Sequence, residues 1–148
     1  MKTCLTTKEI KNFDNIIIQK ISKGSNILLP KNFLFGVATA SYQNEGETMC
    51  NWTIYENKYN LDKNLGVGSW KYFENDVKLM KHLGINSYRM SLEWSRIIPK
   101  PNIIDNNALE KYLEKIKLLK KNNIEKFVTL HHFTRPIWLD NTYEGLHN

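Results

Sequence analysis

The sequence predicts an α/β fold in which three parallel strands are joined by helices. Three apolar segments alternate with two segments of helical period, an order that calls for right-handed crossovers between parallel strands. Polar side chains follow the strands where they end, which is where α/β barrels carry their active sites. The chain has 148 residues, enough for one domain but fewer than the roughly 250 that a complete barrel needs.

The first 29 residues differ in composition from the rest. They are rich in Lys, Asn, Thr and Ile, with weak helical period, so we predict a loosely attached or disordered extension over residues 1–29 and a structured domain over residues 30–148. The longest apolar run of the extension, Ile16–Ile18, is too short for a signal-peptide core or a membrane span. We expect a cytoplasmic protein without a membrane partner.

The first predicted strand is Phe33–Ala40, which contains a glycine that allows close backbone approach. The polar residues Ser41–Gly46 follow it directly. Glu47–Val67 has no sustained period and is predicted to be a long loop. Three large side chains are expected to anchor part of this loop: Trp52, Ile54 and Tyr55.

Two amphipathic helices are predicted between the strands. The first is capped by Ser69 and stops at Gly84, with the apolar residues Trp70, Phe73, Val77, Met80 and Leu83 at steps of three and four. The second starts near Asp105 or Asn106 and ends at Asn122. Its predicted buried face consists of Leu109, Tyr112, Leu113, Ile116 and Leu119.

The other two predicted strands also end in polar residues. Ile85–Trp94 supplies Arg89 and Glu93, and the strand that begins near Lys126 is followed by His131 and His132. Adjacent residues of an extended chain point to opposite sides, so we expect one histidine in the site and the other packed or solvated. This also argues against their acting as paired metal ligands.

Several classes of function are disfavoured. No glycine-rich phosphate loop follows the first strand, and we expect no dinucleotide or other cofactor. The two cysteines have no metal-ligand spacing. The net charge is +6, but the lysines are spread along helix faces rather than clustered, which favours a solvated surface over nucleic-acid binding.

Gln43, a histidine and Arg89 at the ends of neighbouring strands, near Trp94 and Phe133, suggest a sugar site. Amides and imidazoles hydrogen-bond to hydroxyl groups, and aromatic rings cover the apolar faces of sugars. On spacing alone, chance placement of such polar groups is the alternative.

Three linked segments carry a resemblance to a known family. LPKNFLFGVATASYQNEG, NDVKLMKHLGINSYRMSLEWSRIIP and NNIEKFVTLHHFTRPIWL resemble the opening segments of glycoside hydrolase family 1, the β-glucosidases and 6-phospho-β-glucosidases, in order and separation. The match covers about Leu29 to Trp138. It implies a partial TIM (β/α)8 barrel made of the first three βα units.

The resemblance also implies a function and roles for particular residues. The family cleaves β-linked sugars by a retaining mechanism with two carboxyl groups. By motif position, Gln43 and His132 resemble the residues that bind sugar hydroxyls, and Arg89 resembles the arginine that supports the nucleophilic carboxylate. Phe133 stands where many members have Trp, and it would keep an aromatic wall without an indole donor.

The sequence departs from the family pattern at important places. It carries neither the Asn-Glu-Pro motif of the acid/base nor the Glu-Asn-Gly motif of the nucleophile. We expect Glu45 to be structural and Glu93 to lack a catalytic partner. Ser69 replaces a frequent His, and Arg135 adds a bulky charge. The expectation is a truncated β-glycosidase-like chain that is inactive alone and is completed by a possible second chain. The alternative is a non-catalytic interaction protein that binds through its open sheet edge.

Overall fold

The computed structural model describes residues 29–61 and 65–143. The chain divides between Phe33 and Leu34 into two units. In the described part of the first unit, the Phe33 N–H donates to the Pro30 carbonyl at 2.9 Å. The predicted extension lies outside the described residues except for Leu29.

The second unit is built on a parallel sheet of three strands in the order β1-β2-β3. Ala38 pairs with Arg89, and Arg89 with Phe127. The α/β prediction is confirmed. The elements in chain order are β1 Gly36–Ala38, α1 Ser41–Glu45, α2 Asn51–Lys58, α3 Ser69–His82, β2 Ser87–Ser91, α4 Trp94–Ile97, α5 Asn106–Lys121, β3 Glu125–Thr129 and α6 Ile137–Tyr143.

Strand β1 is shorter than the predicted Phe33–Ala40. Its glycine, Gly36, does stand at a close approach, since a Cβ there would lie 2.1 Å from the Ser87 Oγ. β1 lies beside β2 and is exposed along its length. Within the described residues, β1 is therefore an edge strand, with backbone N–H and C=O groups unpaired by any strand on its other side.

The two long helices begin and end close to the predicted positions. The Asp105 carboxylate accepts the N–H groups of Asn107 and Ala108 at 2.9 and 3.1 Å, which caps α5. The chain leaves α3 through Gly84, whose φ of +72° lies in the left-handed region that glycine favours. The prediction that Ser69 caps α3 is wrong. Gly68 occupies the N-cap position, and Ser69 is the first, buried residue of the helix.

The predicted buried face of α5 is partly wrong. Tyr112 and Leu119 are buried as expected, whereas Leu109 and Leu113 are exposed. The buried set includes Lys115 instead, because its ammonium group forms a salt bridge with Glu45 at 2.7 Å. A lysine is buried when a partner compensates its charge, and hydrophobic period gives no sign of that partner.

The segment predicted to be a long loop contains helix α2. Two hydrogen bonds fix the start of this helix. The Cys50 N–H donates to the Thr53 Oγ1 at 3.1 Å within the segment, and the Arg135 N–H donates to the Asn51 Oδ1 at 2.9 Å from a distant segment. No residue of α2 is buried, so the helix has no buried stripe to produce a hydrophobic period. Trp52, Ile54 and Tyr55 are exposed, and the expectation that they anchor this segment is wrong.

The core lies between the sheet and helices α3 and α5. It is formed by Phe73, Val77, Met80, Ile85, Tyr88, Met90, Tyr112, Leu119 and Ile124. Strand β2 is the most buried of the three strands. No helix in residues 29–61 and 65–143 is long and apolar enough to cross a membrane.

Candidate functional site

A cavity of about 420 Å³ opens at the carboxyl end of the sheet. It is bounded by α1, by α2 and by the turn that follows β3. The residues around it are Ala40, Tyr42, Gln43, Trp52, Glu56, His132, Phe133 and Thr134. Gln43, His132 and Phe133, three residues singled out from the sequence, therefore surround one cavity.

Gln43 and His132 reach the cavity from different elements. Gln43 lies on α1, the short helix that begins three residues after β1. His132 follows β3 by three residues and packs edge-on against the Phe133 ring, with the ring centroids 4.9 Å apart. Parallel strands bring their carboxyl ends to one edge of a sheet, which explains how residues so distant in sequence meet.

Arg89 is not among the residues that line the cavity. Its Nε donates to the Thr129 Oγ1 at 2.6 Å, which joins the side chains of β2 and β3. Burial lowers the pKa of the His132 imidazole, and the positive charge of Arg89 lowers that pKa further. The imidazole is therefore favoured in its neutral form, which both donates and accepts hydrogen bonds.

The two neighbouring histidines have different surroundings. His131 is absent from the cavity wall and packs against Trp94, with the ring centroids 5.5 Å apart. Its Nε2 is buried and has no hydrogen-bond partner among the described residues. The Trp94 indole donates to the Leu130 carbonyl at 2.7 Å, so this ring supports the turn after β3. Trp94, which was expected near the sugar site, does not line the cavity, whereas Trp52 does.

Two of the residues that line the cavity are joined by a hydrogen bond that the sequence did not predict. The Tyr42 hydroxyl donates to the Glu56 carboxylate at 2.7 Å, which links α1 to α2. Burial, and then the bond to Glu56, raise the pKa of Tyr42. Trp52, Tyr55 and Tyr59 are spaced by three and four residues, but all three are exposed, so this spacing does not mark a buried helix face.

The two carboxylates considered from the sequence, Glu45 and Glu93, are both buried and do not line the cavity. Glu45 forms salt bridges with Lys115 at 2.7 Å and with Arg96 at 3.1 Å, and it accepts the Tyr112 hydroxyl at 2.8 Å. Such a paired, enclosed carboxylate fits the structural role expected for it. Arg135, by contrast, pairs with Asp140 and does not line the cavity.

The comparisons with known proteins agree with this architecture. The family model for glycosyl hydrolase family 1 matches residues 25–148. The chain belongs to glycosyl hydrolase family 1. Among curated members, it is 36% identical over 143 residues to beta-glucosidase 47 from Arabidopsis thaliana, covering 88% of this chain and 27% of that protein.

Solved members of the family have the same fold in the corresponding region. A beta-glycosidase from Pyrococcus horikoshii is 40% identical with a TM-score of 0.75, over 79% of this chain and 28% of that one. A beta-glucosidase from Thermotoga maritima, solved in complex with castanospermine, is 31% identical with a TM-score of 0.70, over 76% and 28% of the two chains. The chain thus spans about a quarter of the length of these relatives, as part of their TIM barrel.

The site has no sign of a metal centre. In the part of the chain that the structure describes, no group of three or more His, Cys, Asp or Glu side chains could hold a metal ion. The groups that surround the cavity are an amide, an imidazole, a phenol, a carboxylate, an aliphatic hydroxyl, a methyl group and two further aromatic rings. These groups are suited to hydrogen-bonding and stacking with a neutral polar ligand.

Proposed function

We propose that this chain supplies the opening units of a β-glycosidase and that its cavity binds the sugar ring of a β-linked glycoside. The observation that carries the proposal is the meeting of Gln43, His132 and Phe133 around one cavity in a member of this family. An amide and a neutral imidazole can each donate to one hydroxyl and accept from another. Phe133 and Trp52 provide aromatic surface for the apolar face of the ring.

The reaction of the completed barrel would be retaining hydrolysis. One carboxyl group protonates the leaving oxygen, and the other forms a glycosyl-enzyme intermediate. Arg89 would lie beside the nucleophilic carboxylate and favour its ionised form. Neither carboxylate motif occurs in the 148 residues, and Glu45 and Glu93 are both buried. We therefore propose that these residues on their own bind sugar without cleaving it.

Binding is tested with castanospermine, the ligand present in the Thermotoga maritima structure. Saturation-transfer NMR on the 148-residue chain should detect it, and Gln43→Ala or His132→Ala should abolish the signal. His82→Ala is the matched control, because His82 is an exposed histidine at the end of α3. Equal signals in all four proteins would contradict the assignment of the cavity.

Catalytic silence is tested separately with an aryl β-glucoside. We expect no release of the aryl group above the rate of a buffer blank. Hydrolysis that disappears in the Gln43→Ala or His132→Ala variant would overturn the proposed silence, since it would require reactive carboxylates within these residues.

The predicted cytoplasmic location stays a prediction, and cell fractionation would test it.

A second candidate function is an interaction protein that docks through the sheet. The supporting observation is exposed apolar side chains at both edge strands of the sheet. Phe35, next to β1, is 56% exposed, and Phe127 and Leu130, in and next to β3, are 49% and 68% exposed. A second chain that supplies further barrel units would cover these side chains. Sedimentation should then show an oligomer or complex, whereas a monodisperse monomer in cell extract would count against this candidate.

A further inference from the structure

Glu93 is completely buried at the junction of β2 and α4, with an exposed fraction of 0%. Its Oε2 accepts hydrogen bonds from the Ser41 hydroxyl at 3.0 Å and the Thr134 hydroxyl at 2.7 Å. Its Oε1 accepts the Ser95 N–H at 3.4 Å. One carboxylate at the end of β2 is thereby bonded to the segments that follow β1 and β3.

Both hydroxyl partners belong to the segments that form the cavity. Ser41 is the first residue of α1 and precedes Gln43 by two positions. Thr134 follows His132 by two positions. Fixing the two hydroxyl groups on one oxygen atom therefore restricts the distance between the amide and the imidazole across the cavity.

The turn that contains Thr134 has a strained backbone. Phe133 has a φ of +66°, a left-handed value that is unfavourable for a residue other than glycine. The Thr134 N–H donates to the His132 carbonyl at 2.8 Å, and this bond between residues i and i+2 defines a tight γ-turn. Such a turn persists when its surroundings fix it, and the buried Thr134 hydroxyl bond to Glu93 does so.

We infer that Glu93 is a positioning residue for the sugar site: its carboxylate clamps the Phe133 turn and the start of α1 so that His132 and Gln43 face one ligand. This inference rests on the proposed function. Glu93 does not line the cavity, and both of its oxygens already accept hydrogen bonds. It acts through Ser41 and Thr134 rather than on the ligand.

Thr134→Val and Thr134→Ser form a matched pair for testing the clamp. Valine keeps the shape and removes the hydroxyl, whereas serine keeps the hydroxyl and removes a methyl group. Glu93→Gln is the third variant, and Ile124→Val, in the core, is a control for mild loss of stability. The 148-residue chain is used throughout, with amide exchange and histidine titration followed by NMR.

Loss of a hydrogen bond to a charged group should accelerate exchange of the Thr134 amide by about tenfold to a hundredfold in Thr134→Val. The relaxed turn should expose the imidazole, so the pKa of His132 should rise toward its ordinary value of about 6.5. Castanospermine affinity should fall by about tenfold or more. Glu93→Gln should change the three quantities in the same direction, while Thr134→Ser and Ile124→Val should resemble the wild type.

The sign of the His132 shift separates positioning from a direct charge effect. If Glu93 acted on the imidazole only through its negative charge, Glu93→Gln would lower the pKa of His132, and the clamp would be overturned. Unchanged amide exchange in Thr134→Val would overturn it as well. If no variant or wild-type chain bound castanospermine while the NMR changes occurred, the proposed function would fail and the clamp would stand.

Discussion

Replacing Glu45 by glutamine should strongly destabilise the fold, because it removes one charge from a buried network without changing the side-chain shape. Glu45 lies 2.7 Å from the Lys115 ammonium, and their side chains are 5% and 4% exposed. Arg96 approaches the same carboxylate at 3.1 Å. After the substitution, Lys115 remains enclosed without its nearest negative charge.

The expected loss of stability can be judged from the distance between the Glu45 carboxylate and the Lys115 ammonium. At an effective dielectric constant of about 20, two unit charges 2.7 Å apart attract by roughly 6 kcal/mol. Part of this attraction only offsets the desolvation of the two ions in the folded state. Removing one partner of a buried pair typically costs about 3–5 kcal/mol, since the remaining charge is still desolvated. We expect Glu45→Gln to lower the free energy of unfolding by that amount.

The loss should also depend on pH. Burial lowers the pKa of Lys115, and the negative charge of Glu45 opposes this effect, so Glu45→Gln should lower the pKa further. Between the folded and unfolded pKa values, the unfolded state then binds more protons, and stability rises with pH in that range. The deficit of the variant should shrink as the pH approaches the ordinary lysine pKa of about 10.4.

Urea unfolding followed by tryptophan fluorescence measures both effects. Glu114→Gln is the control, because Glu114 is an exposed residue of α5 next to Lys115 in sequence. A substitution at such a surface position should change stability by less than about 0.5 kcal/mol. If Glu45→Gln also stayed within that range, or if its deficit did not change from about pH 7 to about pH 10, the reasoning from the buried pair would be refuted.

Three further predictions concern other parts of the second unit. Tyr112→Phe removes a hydroxyl that bonds two buried partners, and urea unfolding should show a loss of about 1–3 kcal/mol. Gly46→Ala would place a Cβ 2.0 Å from a backbone oxygen at a φ of +76°. It should be clearly more destabilising in the same assay than Gly84→Ala, whose Cβ meets nothing within 4 Å. Arg89→Met should raise the pKa of His132, measured by NMR, because it removes a positive charge that lowers it. On acidification, the stability lost through His132 should then be smaller; an unchanged His132 titration would show that Arg89 is too far away.

Local sequence was sufficient for the main elements. The alternation of apolar segments and helical periods predicted three parallel strands and two long helices. The start of α5 near Asp105 and the glycine stop at Gly84 were readable because they depend on bonds and backbone angles within a few residues of each helix end. The resemblance then predicted a family that the comparisons show.

Contacts between distant residues were the reason for the errors. Lys115 is buried because of Glu45, which lies 70 positions away. Helix α2 has no buried face, and one bond at its start comes from Arg135, 84 positions away. Trp52 was missed as a site residue for the same reason, since it was assigned to a loop and not to a helix that borders the cavity.

The sequence by itself determined the order and type of the long elements, the family, and the choice of Gln43, His132 and Phe133 as site candidates, because these depend on local pattern and on motifs. Only the tertiary structure decided that Glu93 bonds to Ser41 and Thr134. The physical reason is that a buried carboxylate must find donors in three dimensions, and its partners here come from the ends of different strands.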